Sequence, residues 1–193
     1  MTMRNCLILL LLLCGCSLRA QTAANDNAFN QVALRPLPPL QVHSPQGVSA
    51  PFAGCVDGRL WVAGGCNFPD RPAADGGSKV YYRDIYELAP DGAGGEAAWH
   101  RVGELPGELA YGVGIGVPEG LVCAGGTDGQ QSQVAVWLLR RTHTGAVETV
   151  RLPDLPLPLD NMAGCYGGGY LYIAAGQSCG RPSQAAFRLA WPG

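Results

Sequence analysis

The sequence predicts an all-β fold made of about three copies of one four-stranded antiparallel unit. Three observations predict it: a repeated strand–turn–strand word ending on small residues, a spacing of about fifty residues between copies, and a glycine-rich, charge-poor composition. The first copy reads Phe52-Ala-Gly-Cys-Val-Asp-Gly-Arg-Leu-Trp-Val-Ala-Gly64-Gly65. The second reads Tyr111-Gly-Val-Gly-Ile-Gly-Val-Pro-Glu-Gly-Leu-Val-Cys-Ala-Gly125-Gly126. The third reads Met162-Ala-Gly-Cys-Tyr-Gly-Gly-Gly-Tyr-Leu-Tyr-Ile-Ala-Ala175-Gly176. Asp57-Gly58 and Gly167-Gly168 are two-residue hairpin signals, because the tight primed turns require positive φ.

Each copy continues into a third strand, predicted at Val80 to Leu88, Val134 to Leu139 and Ala186 to Leu189. A fourth follows in the first two copies: Trp99 to Val102 runs into Leu105-Pro106, and Val147 to Leu152 runs into Leu155-Pro156. Four strands with a double glycine after the second and a Leu-Pro ending make a kelch-type blade, and blades of this kind stack into a β-propeller. Three blades, at about 49–106, 107–156 and 157–193, amount to half of a six-bladed ring. The paired glycines serve close backbone packing; a phosphate cradle would need a helix N-terminus behind them, and no helix is predicted there.

The N-terminus reads as a leader. Met1 to Asn5 carries Arg4, and Leu7 to Leu13 is an unbroken apolar run, too short to span a bilayer but of signal-peptide length. Leu13-Cys14-Gly15-Cys16 matches a bacterial lipoprotein box with Cys16 as the acylated residue; the alternative is plain secretion after Ala20. The expectation is a signal peptide over residues 1–20 with cleavage before Cys16, a linker over 21–47, and blades over 48–193, exported to the periplasm or the outer membrane. The membrane is then met only through the lipid anchor.

Composition argues against other partners. Net charge is −2, there is no basic run, and Lys79 is the only lysine, so neither nucleic acid nor a polybasic membrane contact is expected. Cys55, Cys66, Cys123, Cys165 and Cys179 show no CxxC spacing, so no zinc or other metal site is expected. Cys55, Cys123 and Cys165 are expected as small buried strand residues. Cys66 and Cys179 occupy equivalent positions, where a disulfide is left open. His43, His100 and His143 fall on a linker, a strand and a turn, and do not converge.

Strand parity places the loops at 66–79, 127–133 and 177–184 on one face with the inter-blade connections. That face collects Asn67, Asp70, Arg71, Asp75, Lys79, Tyr111, Asp128, Asp160, Asn161 and Gln177. The opposite face receives tight turns such as Asp57-Gly58 and Pro90-Asp91-Gly92. The loop from Cys66 to Lys79 is much longer than its counterpart in the second copy, and long loops on a rigid scaffold carry binding groups.

Specific words on this scaffold resemble the N-acetylneuraminate epimerase (sialic acid mutarotase) family. They are Gly64-Gly65-Cys66-Asn67-Phe68-Pro69-Asp70, Lys79-Val80-Tyr81-Tyr82-Arg83-Asp84-Ile85-Tyr86, Gly103-Glu104-Leu105-Pro106 with Ala110-Tyr111-Gly112, and Leu159-Asp160-Asn161-Met162-Ala163-Gly164. Their order is similar to a cyclically permuted branch of that family. The resemblance implies a six-bladed kelch propeller interconverting the α and β anomers of a sugar acid, an isomerase needing no cofactor. It implies a base at the anomeric hydroxyl and an acid at the ring oxygen, and a cation for the substrate carboxylate. Asn67, Arg71, Lys79, Tyr111 and Asn161 are the expected substrate-binding residues, with Arg71 and Lys79 for the carboxylate. The family's acid/base glutamate belongs to a blade with no match here, and no catalytic residue carries over. Two other readings stay open: a non-catalytic kelch module binding glycan or protein, and a truncated product. Three blades expose two end faces, so the expected state is a closed ring with a second copy or another three-bladed chain, or else an aggregate.

Overall fold

A computed structural model describes residues 36–40, 47–89 and 97–192. The expected leader, Cys16, most of the linker, His43 and the Pro90-Asp91-Gly92 turn lie outside the described residues. The chain runs β1 (Phe52–Val56), β2 (Arg59–Ala63), a short ribbon of β3 (Cys66–Asn67) and β4 (Val80–Tyr81), then β5 (Asp84–Leu88) and β6 (Trp99–Glu104). It continues through β7 (Val113–Val117), β8 (Gly120–Ala124), β9 (Val136–Arg141) and β10 (Val147–Leu152). Last come β11 (Ala163–Gly167), β12 (Tyr170–Ala174), a second ribbon of β13 (Gln177–Ser178) and β14 (Arg181–Pro182), and β15 (Ala186–Ala190).

Three antiparallel sheets result, ordered β1-β2-β5-β6, β7-β8-β9-β10 and β11-β12-β15. The fold is all-β, a partial kelch-type propeller whose sheets, among the described residues, do not close into a ring. The sheets stack through two apolar layers. Phe52, Trp61, Ile85 and Leu105 meet Leu121, Cys123 and Leu139 between the first and second sheets. Val113, Ile115, Val122 and Leu138 meet Met162, Leu171 and Ile173 between the second and third. Small residues let the inner strands converge: a Cβ at Gly114 would lie 2.4 Å from the Ala53 amide nitrogen, and one at Gly116 would lie 2.3 Å from the Cys55 oxygen.

The strands differ from expectation where the paired glycines redirect the chain. The expected Val80–Leu88 strand is divided. Tyr82 N–H bonds to Gly65 O and Arg83 O accepts from Leu105 N–H, so β4 lifts away to pair with β3 while β5 joins the sheet. The third hairpin turns at Gly168-Gly169, one residue later than expected, because those two carry the positive φ values of 59° and 77°. Cys123 is buried, but Cys55 and Cys165 are exposed. Cys165 shares a sheet face with Tyr172 and Arg188, the face that a following blade would cover; Cys55 lies on the outward face of the first sheet. All five described cysteines are free, Cys66 buried and Cys179 exposed. Trp191 is anchored: its backbone N–H bonds to Gly169 O and its indole donates to Glu119.

Candidate binding face

Three short bridges mark equivalent corners of the repeats: Ser49 with Cys66, Ala110 with Thr127, and Asp160 with Gln177. The next residue in each case, Ala50, Tyr111 and Asn161, takes a left-handed conformation with φ of 50°, 61° and 54°. That conformation costs a non-glycine residue about 1–2 kcal/mol, and it turns the chain sharply into each innermost strand. Tyr111 N–H bonds to Ala50 O and Asn161 N–H bonds to Tyr111 O, so hydrogen bonds link the corners from sheet to sheet. Strained, over-determined positions of this kind recur at binding sites.

Two of the five expected site residues, Tyr111 and Asn161, therefore occupy matching corners of neighbouring sheets. Both line a cavity of about 320 Å³ with Tyr81, Ser132, Asp160 and Gln177. Lys79 is not among the residues lining the cavity but reaches one of them, Tyr111, from the long loop: its Nζ donates to Tyr111 Oη at 2.9 Å and sits 5.0 Å from the centre of the Tyr111 ring and 5.5 Å from that of Phe68. The Tyr111 hydroxyl is the main cause of a Lys79 pKa raised above the ordinary lysine value, outweighing partial desolvation. The ammonium therefore stays charged across neutral pH, with N–H donors left over.

Asp160 organises the opposite wall. It is buried, accepts from Asn161 Nδ2 and Gln177 Nε2 at 2.6 Å each, and accepts from Ser132 Oγ, which itself accepts from Cys179 N–H. With their NH₂ groups drawn to one carboxylate, the two amides have a fixed flip and their carbonyl oxygens are left to accept from a ligand. Asp128 plays a loop-building part: its carboxylate accepts from the backbone N–H groups of Gln131 and Gln130, which lower its pKa despite some desolvation.

Asn67 and Arg71 are placed differently. Asn67 is buried, donating to Gly47 O and accepting from Tyr82 Oη at 2.7 Å each, so both ends of its amide are engaged by the protein. Arg71 is exposed on the long loop, just before the 3-10 turn at Ala73–Asp75, and is not among the residues lining the cavity. Tyr81 and Ser132 are lining residues that the expected set lacks. Tyr81 reads as mid-strand in sequence; only its pairing with Cys66 in the ribbon raises it onto this face, where its ring covers Gly129. The length of the loop between the paired glycines and the main third strand was the available signal. A second cleft of about 700 Å³, lined by residues including Arg83, Glu108, Asp128, Trp137 and Arg151, holds none of the expected site residues.

No family model matches the chain. It is similar to N-acetylneuraminate epimerase 1 of Escherichia coli O6:H1 (strain CFT073), 34% identical over 113 residues, which is 53% of this chain and 28% of that protein. It is 34% identical over 90 residues to the N-acetylneuraminate epimerase of Vibrio vulnificus, 42% of this chain and 22% of the relative. Against the Vibrio cholerae enzyme of the same name the figures are 32% over 118 residues, 55% and 29%. These are partial matches to one named activity, and each covers less than a third of the relative's length.

Proposed function

We propose that this chain supplies part of the substrate-binding face of a sialic acid mutarotase, and that Lys79, Tyr111 and Asn161 are its contribution. The observation that carries the reading is the charged Lys79 ammonium held by Tyr111 at the edge of a polar cavity whose amides are fixed by Asp160. The partial matches to N-acetylneuraminate epimerases supply the ligand class. A sugar acid suits such a site: Lys79 faces the carboxylate, while the carbonyl oxygens of Asn161 and Gln177 accept from sugar hydroxyls. Arg71, outside the cavity, acts as a second cation on approach. The acid and base of ring opening are assigned to no residue of this chain.

Calorimetric titration with N-acetylneuraminate and with its methyl ester tests the assignment. Lys79→Met is expected to weaken binding of the acid by about 1.5–3 kcal/mol, the range for a hydrogen bond to a charged group. It should leave the ester, which has no charge, nearly unaffected. Arg71→Ala should produce a smaller loss, screened by solvent. Equal losses for acid and ester would remove Lys79 from the carboxylate.

A further inference from the structure

Tyr81 brings to the cavity a hydroxyl that no other described residue claims. Its pairing with Cys66 in the ribbon lifts it off the first sheet, and Gly129 of the 127–133 loop receives its ring. A Cβ at Gly129 would lie 2.6 Å from Tyr81 Cε2 and 3.0 Å from Cζ, so only glycine there leaves room for the ring. Cζ carries the hydroxyl, and the polar end of the ring is therefore the end seated on the loop. Every fully buried side-chain nitrogen or oxygen among the described residues has a partner, so the Tyr81 oxygen, having none, opens to solvent in the cavity.

Donors gather at this end of the cavity. Tyr111 Oη already accepts from Lys79 Nζ at 2.9 Å, which turns the Tyr111 hydroxyl hydrogen outward as a donor. Burial is the main cause of a Tyr81 pKa raised above the ordinary phenol value, and the nearby Lys79 charge works against it. The Tyr81 phenol therefore remains a donor at neutral pH, within the field of the same ammonium that holds Tyr111. At the other end Asp160 takes the NH₂ groups of Asn161 and Gln177 and leaves their carbonyl oxygens as acceptors. The cavity is polarised, with O–H donors toward Tyr81 and amide acceptors toward Asp160. A ligand that satisfies both carries an acceptor-only group at one end and hydroxyls at the other.

We propose that Tyr81 is a specificity-determining residue of this site, its hydroxyl donating to the carboxylate of the bound sugar acid beside Tyr111. The assignment rests on the sugar-acid reading above and adds what Lys79 does not supply. Lys79 lies outside the cavity lining and meets it through Tyr111, and an ammonium is a point charge on a flexible stem. Its charge attracts a carboxylate without fixing the direction of that group. Two phenol hydroxyls on braced rings give direction, one ring seated on Gly129 and the other held by Lys79, so that each carboxylate oxygen has a donor of its own. A hydrogen bond to a charged oxygen is about twice as strong as one to a neutral carbonyl. The Tyr81 hydroxyl therefore favours an acid over its uncharged derivatives.

Tyr81→Phe tests this, since it keeps the ring on Gly129 and removes only the hydroxyl. Calorimetric titration with N-acetylneuraminate and its methyl ester is expected to show the acid weakened about tenfold or more and the ester only about two- to fivefold. The urea midpoint of the variant should match that of the wild type. A lowered midpoint would show that the protein itself uses the hydroxyl, and would overturn the proposal. Undiminished acid binding, or equal losses for acid and ester, would overturn it as well, even where Lys79→Met behaves as expected. A selective loss in Tyr81→Phe with none in Lys79→Met would uphold Tyr81 and remove Lys79 from the carboxylate. A wild type that binds neither ligand would overturn both assignments together.

Discussion

Gly125→Ala is expected to be among the most destabilising single substitutions in this chain, costing about 3–5 kcal/mol. Gly125 has φ of 59°, and a Cβ there would lie 2.4 Å from Leu159 O and 2.5 Å from Met162 Cε. The Leu159 oxygen cannot retreat freely, since it accepts from Gly126 N–H at 2.8 Å and so ties the connection between sheets to the end of β8. Left-handed strain of about 1–2 kcal/mol therefore adds to the cost of overpacking. Gly168→Ala is the matched control: φ is also 59°, but no atom lies within 4 Å of its Cβ position, so only the strain should appear. Urea unfolding at fixed protein concentration compares the two. Equal losses would mean that the close approach between sheets carries no weight.

Glu87 gives the second large effect. Its carboxylate is 4% exposed, accepts from Trp61 Nε1 at 2.9 Å and from Arg59 at 2.8 Å, and pairs with Arg141 from the second sheet. Removing one member of a buried pair costs about 3–5 kcal/mol. Here both guanidinium groups reach solvent, so Glu87→Ala is expected to cost about 2–3 kcal/mol. Burial alone would raise the carboxyl pKa, but the hydrogen bonds from Arg141 and Arg59 overcome it and hold it below the ordinary glutamate value. A depressed folded pKa means that stabilisation is fully present above the unfolded value. It is lost as pH falls through the folded one. Unfolding free energy measured from neutral pH down through the carboxylate range should therefore fall more steeply for the wild type than for Glu87→Gln. Parallel curves would show that Glu87 does not ionise differently on folding.

The strand count per copy, the hairpin at Asp57-Gly58 and the face shared by the loops were legible in the sequence because each follows from local chemistry. Alternation fixes which residues share a sheet face, and a positive-φ pair fixes a tight turn. The same locality placed Tyr111 and Asn161 on that shared face, since each lies in a connection just ahead of an inner strand. Lys79 was legible as a loop cation, but not as the partner of Tyr111, which is 32 residues away.

Contacts between sheets decided the rest. Whether a cysteine is buried depends on the neighbouring blade, so Cys123 is covered by the first sheet while Cys55 and Cys165, also on strands, are exposed. Asn67 belongs to a word typical of binding loops, yet Gly47 and Tyr82 claim its amide. The paired glycines were recognised as packing elements from sequence, but their necessity rests on one carbonyl oxygen from the next connection, 2.3 Å from a Cβ at Gly64. Local sequence determined the strands and turns of this chain; tertiary packing decided which side chains remain available to a ligand or a partner, because burial and hydrogen-bond satisfaction depend on residues distant along the chain.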